Sequence, residues 1–149
     1  MLEALETLDQ AGISVWVAGG WGVDALLGRQ TRKHHDLDLV VDAGDAAAAM
    51  RALAKIGYDY HDGDEHLPDA LMPDRCLLLR ADGISVDIHP VDVATWCSSV
   101  GDTSPFVTGM IGDRPTPCLA AEVQRMGHRG YELRDSDRHD LKALDQSRI

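Results

Sequence analysis

Residues 34–41 read His34-His35-Asp36-Leu37-Asp38-Leu39-Val40-Val41. Successive side chains of a strand point to opposite faces. Leu37, Leu39 and Val41 therefore share one face and turn into a core, while Asp36 and Asp38 share the other. Two carboxylates on one face of a strand end make a hard-oxygen site of the kind Mg²⁺ prefers. The ordinary reading of such a pair is a solvated face on a half-buried strand, so its neighbours decide between the two.

Upstream, Leu2, Leu5, Leu8 and Ala11 recur at helical spacing, and Gly12 supplies a stop. Residues 13–18 read as a short buried strand. Gly19-Gly20 turns the chain into a helix over 21–27, closed by Gly28. Glycines admit close backbone approach, and a helix N-terminus offers free N–H groups to phosphate. Residues 29–35 form a polar loop.

Downstream, Asp45 is a suitable N-cap for an alanine-rich helix over 46–56, stopped by Gly57. Residues 58–66 read as an extended polar segment. Strands over 75–81 and 84–89 are joined by Asp82-Gly83, a two-residue hairpin signal. In the second of these, Ile84, Val86 and Ile88 face one way and Ser85, Asp87 and His89 the other. Residues 90–117, rich in Pro, Gly, Ser and Thr, read as irregular with a short strand near 106–110. A helix over 119–128 ends near Gly130, and Asp135 or Ser136 caps a last helix to about Gln146. This order implies an α+β fold with a mixed sheet packed by helices, not an all-parallel doubly wound sheet.

The 149 residues fit one domain. A net charge of −11 argues against a nucleic-acid partner, which calls for basic patches, and is compatible with cationic ligands. No run approaches the ~18 apolar residues of a membrane helix, so no membrane partner is expected. The N-terminus lacks the marks of a signal peptide. Cys76, Cys97 and Cys118 show no paired spacing, which favours reduced thiols and a cytoplasmic location.

Asp87 adds a third carboxylate, on a strand that could lie beside residues 36–41. Three carboxylates on adjacent strand faces repel one another unless a cation or proton is present. With the Gly19-Gly20 turn they form a constellation that a purely structural protein has little reason to keep.

The residues that carry a resemblance are Val17-Ala18-Gly19-Gly20-Trp21-Gly22-Val23-Asp24, then residues 28–38 ending in the Asp pair, Ser85-Val86-Asp87-Ile88-His89, and residues 130–141. Together they resemble the small antibiotic nucleotidyltransferases of the polymerase-beta-like superfamily, in the aminoglycoside 2″-nucleotidyltransferase and lincosamide nucleotidyltransferase group. The resemblance spans most of the chain in family order; residues 42–74 and 90–117 contribute least. It implies a single nucleotidyltransferase domain, with a catalytic core over 1–95 and an acceptor-side segment over 96–149. It also implies transfer of a nucleoside monophosphate from ATP or another nucleoside triphosphate to a hydroxyl, with release of pyrophosphate. Asp36 and Asp38 would hold Mg²⁺. Asp87 would bridge to a second ion, act as general base, or do both, as in-line displacement between two metals requires.

Around this core, Gly19, Gly20, Arg29, Arg32 and His34 are the nucleotide-side candidates, although surface arginines and a loop-bracing histidine fit the same positions. Glu122, Tyr131, Asp135, His139 and Asp140 are the acceptor-side candidates. Asp135 and His139 lie one turn apart. A tyrosine with several carboxylates suits an amine-rich sugar. Alternatively Asp135 is an N-cap, Asp137 lies on a solvated face, and His139-Asp140 is a structural pair. The acidity of the chain favours an aminoglycoside over a lincosamide acceptor, with a homodimer as one way to complete the acceptor cleft. A different class of reading is an antitoxin-like or regulatory module of the same fold that acts on a protein partner; all three carboxylates are present, which favours an enzyme. His35-Asp36 and His139-Asp140 have the look of His-Asp phosphohydrolases, but those need an all-helical setting. No HExxH, zinc-type Cys/His spacing or GxSxG elbow occurs.

Overall fold

The computed structural model describes residues 1–61, 71–101 and 104–147. In chain order the elements are α1 (Leu2–Gln10), β1 (Val15–Val17), α2 (Gly19–Leu27), β2 (Asp36–Asp42), α3 (Ala46–Ala54), β3 (Tyr58–Tyr60) and β4 (Cys76–Arg80). They continue with β5 (Ser85–Val91), α4 (Val93–Ser99), β6 (Phe106–Ile111), β7 (Arg114–Leu119), α5 (Ala121–Gly127) and α6 (Asp135–Ser147). Among the described residues the strands form one mixed sheet in the order β3-β4-β5-β2-β1-β7-β6. At its centre β2 and β5 run parallel over their whole length, from Asp36↔Ser85 to Asp42↔Val91.

The alternation of β2 sorts the molecule into two cores. Leu37, Leu39 and Val41 join Val86 and Ile88 of β5 and meet Leu5 and Leu8 of α1 and Leu53 of α3. On the opposite face Val40 packs with Trp96 of α4, Leu119 of β7 and Val123 of α5. Asp36 and Asp38 share this second face, at the N-terminal end of the strand. Ala4, Leu5 and Leu8 are the buried side of α1, whereas Leu2 is exposed. Gly83, with φ +81°, makes the tight turn between β4 and β5.

Several elements differ from expectation. The helix over 21–27 begins two residues earlier, at Gly19, because the glycine turn itself forms the first helical turn. Asp45 makes no side-chain cap to α3. The Asp42 carboxylate instead accepts from the Gly44 N–H at 2.9 Å and fixes the bend into that helix. Of the extended segment over 58–66, only Tyr58–Tyr60 is a strand, and residues 62–66 lie outside the described residues.

Residues 90–117 are the main correction: β6 is the short strand expected near 106–110, but the stretch also holds α4 and most of β7. Pro115 and Pro117 mask β7 in the sequence. The Ala120 N–H donates to Pro105 O at 2.8 Å, and strand pairing alternates from there. The two prolines thus fall at positions whose nitrogens face away from β6, so the β6–β7 ladder loses no donor. Their donor-less side faces β1, and β1 pairs with β7 only at Val17↔Cys118. At α6, neither Asp135 nor Ser136 provides the cap. Asp137 reaches back to accept from the Arg134 N–H at 2.8 Å, the reciprocal half of a capping box. Asp137 is buried, not on a solvated face. No helix among the described residues is long and apolar enough to cross a membrane.

Candidate active site

Parallel pairing of β2 with β5 sets Asp38 directly beside Asp87, and strand alternation adds Asp36 and His89 to the same face. These four side chains, with Gly19 and Arg75, line the head of a cavity of about 340 Å³. His89 Nε2 lies 3.4 Å from Asp38 Oδ1. One guanidinium nitrogen of Arg75 lies 2.9 Å from Asp87 Oδ1 and 3.0 Å from Asp87 Oδ2.

Crowding of carboxylates shows in their titration. Burial, then the charge of Asp38, pushes the Asp87 carboxyl up to about 6, although Arg75 pulls the other way. Burial and Asp38 likewise raise Asp36. Burial works to raise Asp38 as well, but the His89 contact and the charges of His89, Arg75 and Arg134 outweigh it and leave Asp38 below its ordinary value. Asp38 is the anchor anion of the group, and the other two carry its repulsion.

The chain closes on this cluster through glycine. Gly19, at φ +55°, opens α2, and a Cβ there would run into the Asp38 carboxylate, 2.9 Å from its Cγ. A Cβ on Gly20 would run into the Arg32 guanidinium and the His34 ring. The first N–H groups of α2 therefore begin against the acidic cluster, where bound phosphate would meet both dipole and metal charge. Behind them Asp24 organises the 28–35 loop. It accepts from Thr31 N at 3.0 Å and from Thr31 Oγ1 at 2.6 Å, and lies 2.5 Å from His34 Nε2. Burial works to raise Asp24, but the hydrogen bonds to His34 and Thr31 outweigh it and hold its carboxyl low.

Below the carboxylates the wall is apolar: Leu71, Met72, Trp96, Leu119 and Val123. The Trp96 indole N–H donates to Leu71 O at 2.8 Å and ties α4 to that side. The polar remainder is Gln124, His128, Tyr131 and Arg134, from α5 and the turn into α6. The Tyr131 hydroxyl is 2.7 Å from His128 Nδ1. Arg134 is oriented by Asp137, through Nε at 3.2 Å and Nη2 at 3.1 Å.

Of the residues singled out in the sequence, the cavity brings together Asp36, Asp38, Asp87, Gly19 and Tyr131. Gly20, Arg32 and His34 stand behind it as its support. Arg29 is exposed on the loop. Four acceptor-side candidates lie elsewhere. Glu122 is exposed and pairs with Arg125 at 3.0 Å, and Asp135 and His139 are exposed on α6. Asp140 is buried, but it receives Arg32 through Nε at 2.8 Å and Nη2 at 2.7 Å. Asp140 thus pairs with Arg32 across the fold, not with His139. Sequence reasoning missed Arg75, Trp96, Gln124, His128 and Arg134. It placed His89 on the right face without assigning it to the site, although its position two residues after Asp87 was the available signal.

Among the described residues no three His, Cys, Asp or Glu side chains converge on one ion position. The donor set instead consists of two carboxylate pairs that share Asp38. This suits Mg²⁺, which takes one or two carboxylates and completes its shell with phosphate and water.

The profile of the aminoglycoside-2″-adenylyltransferase family matches residues 1–144. A lincosamide resistance protein of Staphylococcus haemolyticus is 31% identical over 150 residues, covering 94% of this chain and 89% of that protein. A 2″-aminoglycoside nucleotidyltransferase of Klebsiella pneumoniae is 37% identical over 54 residues, 36% of this chain and 30% of that one. The crystal structure of lincosamide antibiotic adenylyltransferase LnuA, lincomycin-bound, superposes with a TM-score of 0.75 at 30% identity, over 97% of this chain and 93% of that one. The solution structure of ANT(2″)-Ia shares the fold, with a TM-score of 0.74 at 20% identity over 98% and 80% of the two chains. The chain belongs to the aminoglycoside-2″-adenylyltransferase family and is an antibiotic nucleotidyltransferase.

Proposed function

We propose that the protein transfers the nucleoside monophosphate of ATP to a hydroxyl of a lincosamide-type antibiotic and releases pyrophosphate. The observation that carries the reaction is the register of β2 and β5, which sets Asp38 beside Asp87 at the head of the cavity. Mg²⁺ ions held by the pairs Asp36–Asp38 and Asp38–Asp87 would neutralise the triphosphate and favour departure of pyrophosphate. Asp87, with its carboxyl raised to about 6, is suited to take the proton of the attacking hydroxyl near neutral pH. The N-terminus of α2 at Gly19 and the guanidinium of Arg134 suit phosphate oxygens. As the acceptor oxygen bonds to the α-phosphorus, the bond to pyrophosphate breaks.

The choice of acceptor departs from the expectation based on net charge. Leu71, Met72, Trp96, Leu119 and Val123 give the cavity an apolar wall, and Arg75 and Arg134 add two cations. Among the described residues, the carboxylates expected to meet an amine-rich sugar are exposed or paired elsewhere. The relative that matches nearly the whole chain is a lincosamide resistance protein. The aminoglycoside reading is supported by the net charge of −11 and by the match of residues 1–144 to the aminoglycoside-2″-adenylyltransferase profile.

Incubation with ATP and Mg²⁺ plus either lincomycin or tobramycin tests both readings. The expected product is lincomycin carrying one AMP, with stoichiometric pyrophosphate. A product with tobramycin alone would reverse the acceptor assignment, and no product with either would refute the reading.

A further inference from the structure

We infer that Arg75 is the resident counter-ion of the catalytic carboxylates and a nucleotide-positioning residue: it holds Asp87 while the site is free of metal and passes to the triphosphate when a divalent cation takes that carboxylate. The inference rests on the nucleotidyl-transfer reading above. Its first support is geometric. A nitrogen of Arg75 lies 2.9 Å and 3.0 Å from the two Asp87 oxygens. A guanidinium seated there and a cation bound by Asp87 compete for the same lone pairs.

The second support is position. Arg75 immediately precedes β4, whose Leu77 pairs with Asp87. Residue 75 is outside that ladder, at the entrance to the strand. The side chain is one-fifth exposed and itself lines the cavity.

The third support is chemical. The released guanidinium remains in a cavity that opens on Gly19 at the start of α2, and its planar fork matches phosphate oxygens. The pair Arg32–Asp140 provides the contrast. It is comparably short, yet neither partner lines the cavity, so Arg32 is not placed to meet a bound cation or triphosphate there. An arginine kept only for stability would be expected in that kind of place. Arg75 sits where the reaction brings first a competing cation and then an anion.

The test uses Mn²⁺ alone on the nucleotide-free protein, read by electron paramagnetic resonance, in wild type, Arg75→Ala and Arg75→Gln. Glutamine keeps bulk and hydrogen bonding at a partly exposed position, so that variant reports even if alanine fails to fold. Removing the competing charge should tighten Mn²⁺ binding about tenfold. Unchanged or weaker Mn²⁺ binding in the glutamine variant would overturn the counter-ion role. The KM for Mg·ATP should rise about tenfold in the same variant, as expected on loss of a charged phosphate contact. An unchanged KM would overturn the transfer to the triphosphate. The Mn²⁺ titration needs no turnover, so it judges Arg75 even if the proposed reaction fails with both antibiotics.

Discussion

Gly19 gives the sharpest test of how the backbone supports the site. A methyl group at this position meets two penalties of different kinds. The first is conformational. Gly19 sits at φ +55°, where a side chain costs about 1–2 kcal/mol. For a domain of this size each kcal/mol lowers the melting temperature by about 2–4 °C. The second is local. The new Cβ would meet the Asp38 carboxylate, 2.9 Å from Cγ and 3.3 Å from Cβ, so Asp38 must move by about an ångström to restore ordinary van der Waals contact. Misplacement of a reacting or metal-holding group by that amount costs roughly a hundredfold in rate. Gly28 separates the two effects. It closes the same helix at φ +64° and has open space around the position of a Cβ. Gly28→Ala should therefore show the melting shift with near-normal turnover, and Gly19→Ala the shift plus about a hundredfold loss of kcat/KM. Nucleotide-transfer assays and thermal melts on the two variants decide the matter. Equal activity in both would refute the claim that Gly19 is required by its approach to Asp38.

Other consequences follow from the same site. Asp38→Asn should abolish turnover while leaving circular dichroism unchanged; retained turnover would contradict a metal role for Asp38. Asp87 has a folded-state value of about 6 against an ordinary 3.8, so the folded protein binds this proton more tightly than the unfolded chain. Stability from this group is therefore lost as pH rises through that interval, to the extent of about 3 kcal/mol at neutral pH. Asp87→Asn removes the penalty. In EDTA its melting temperature should gain on wild type between pH 4 and pH 7, even though the variant is inactive, and a gap independent of pH would refute the assignment. Asp140→Ala leaves Arg32 without its carboxylate across the fold. Because Arg32 is partly exposed, the cost should be about 2–3 kcal/mol by chemical denaturation, at or below the range for breaking buried pairs. A loss below about 0.5 kcal/mol would mark the pair as an ordinary surface contact.

The head of the site was legible in the sequence because it is written in strand periodicity and glycine. Asp36, Asp38 and Asp87 each alternate with core residues, so their common face follows from a period of two. The rest of the cavity was not legible, for three physical reasons. Pro115 and Pro117 hide β7, since only the pairing pattern reveals that both fall where no donor to β6 is needed. Arg75 and Trp96 reach the cavity from a strand entrance and a short helix with no periodic signature. The carboxylates of residues 135–140 look like a ligand-facing cluster in one dimension. On α6, however, Asp137 is used in a cap, Asp140 in a long-range pair, and Asp135 is turned to solvent.

The carboxylate site and the hydrophobic core are set by one register. Shifting β5 by a single residue against β2 would place Val86 or Ile88 beside Asp38 and turn Asp87 toward Leu5 and Leu53. That arrangement would bury a carboxylate among aliphatic side chains and expose two apolar ones to the cavity. The apolar face formed by Leu37, Leu39, Val41, Val86 and Ile88 therefore enforces the alignment that the acidic face needs. The acidic face itself opposes folding in the absence of a cation, because Asp36 and Asp87 are both raised by burial and by Asp38. Stability is thus supplied on one side of the sheet and spent on the other. Arg75 and His89 are the two cavity-lining side chains that moderate this repulsion at close range, at Asp87 and Asp38 respectively.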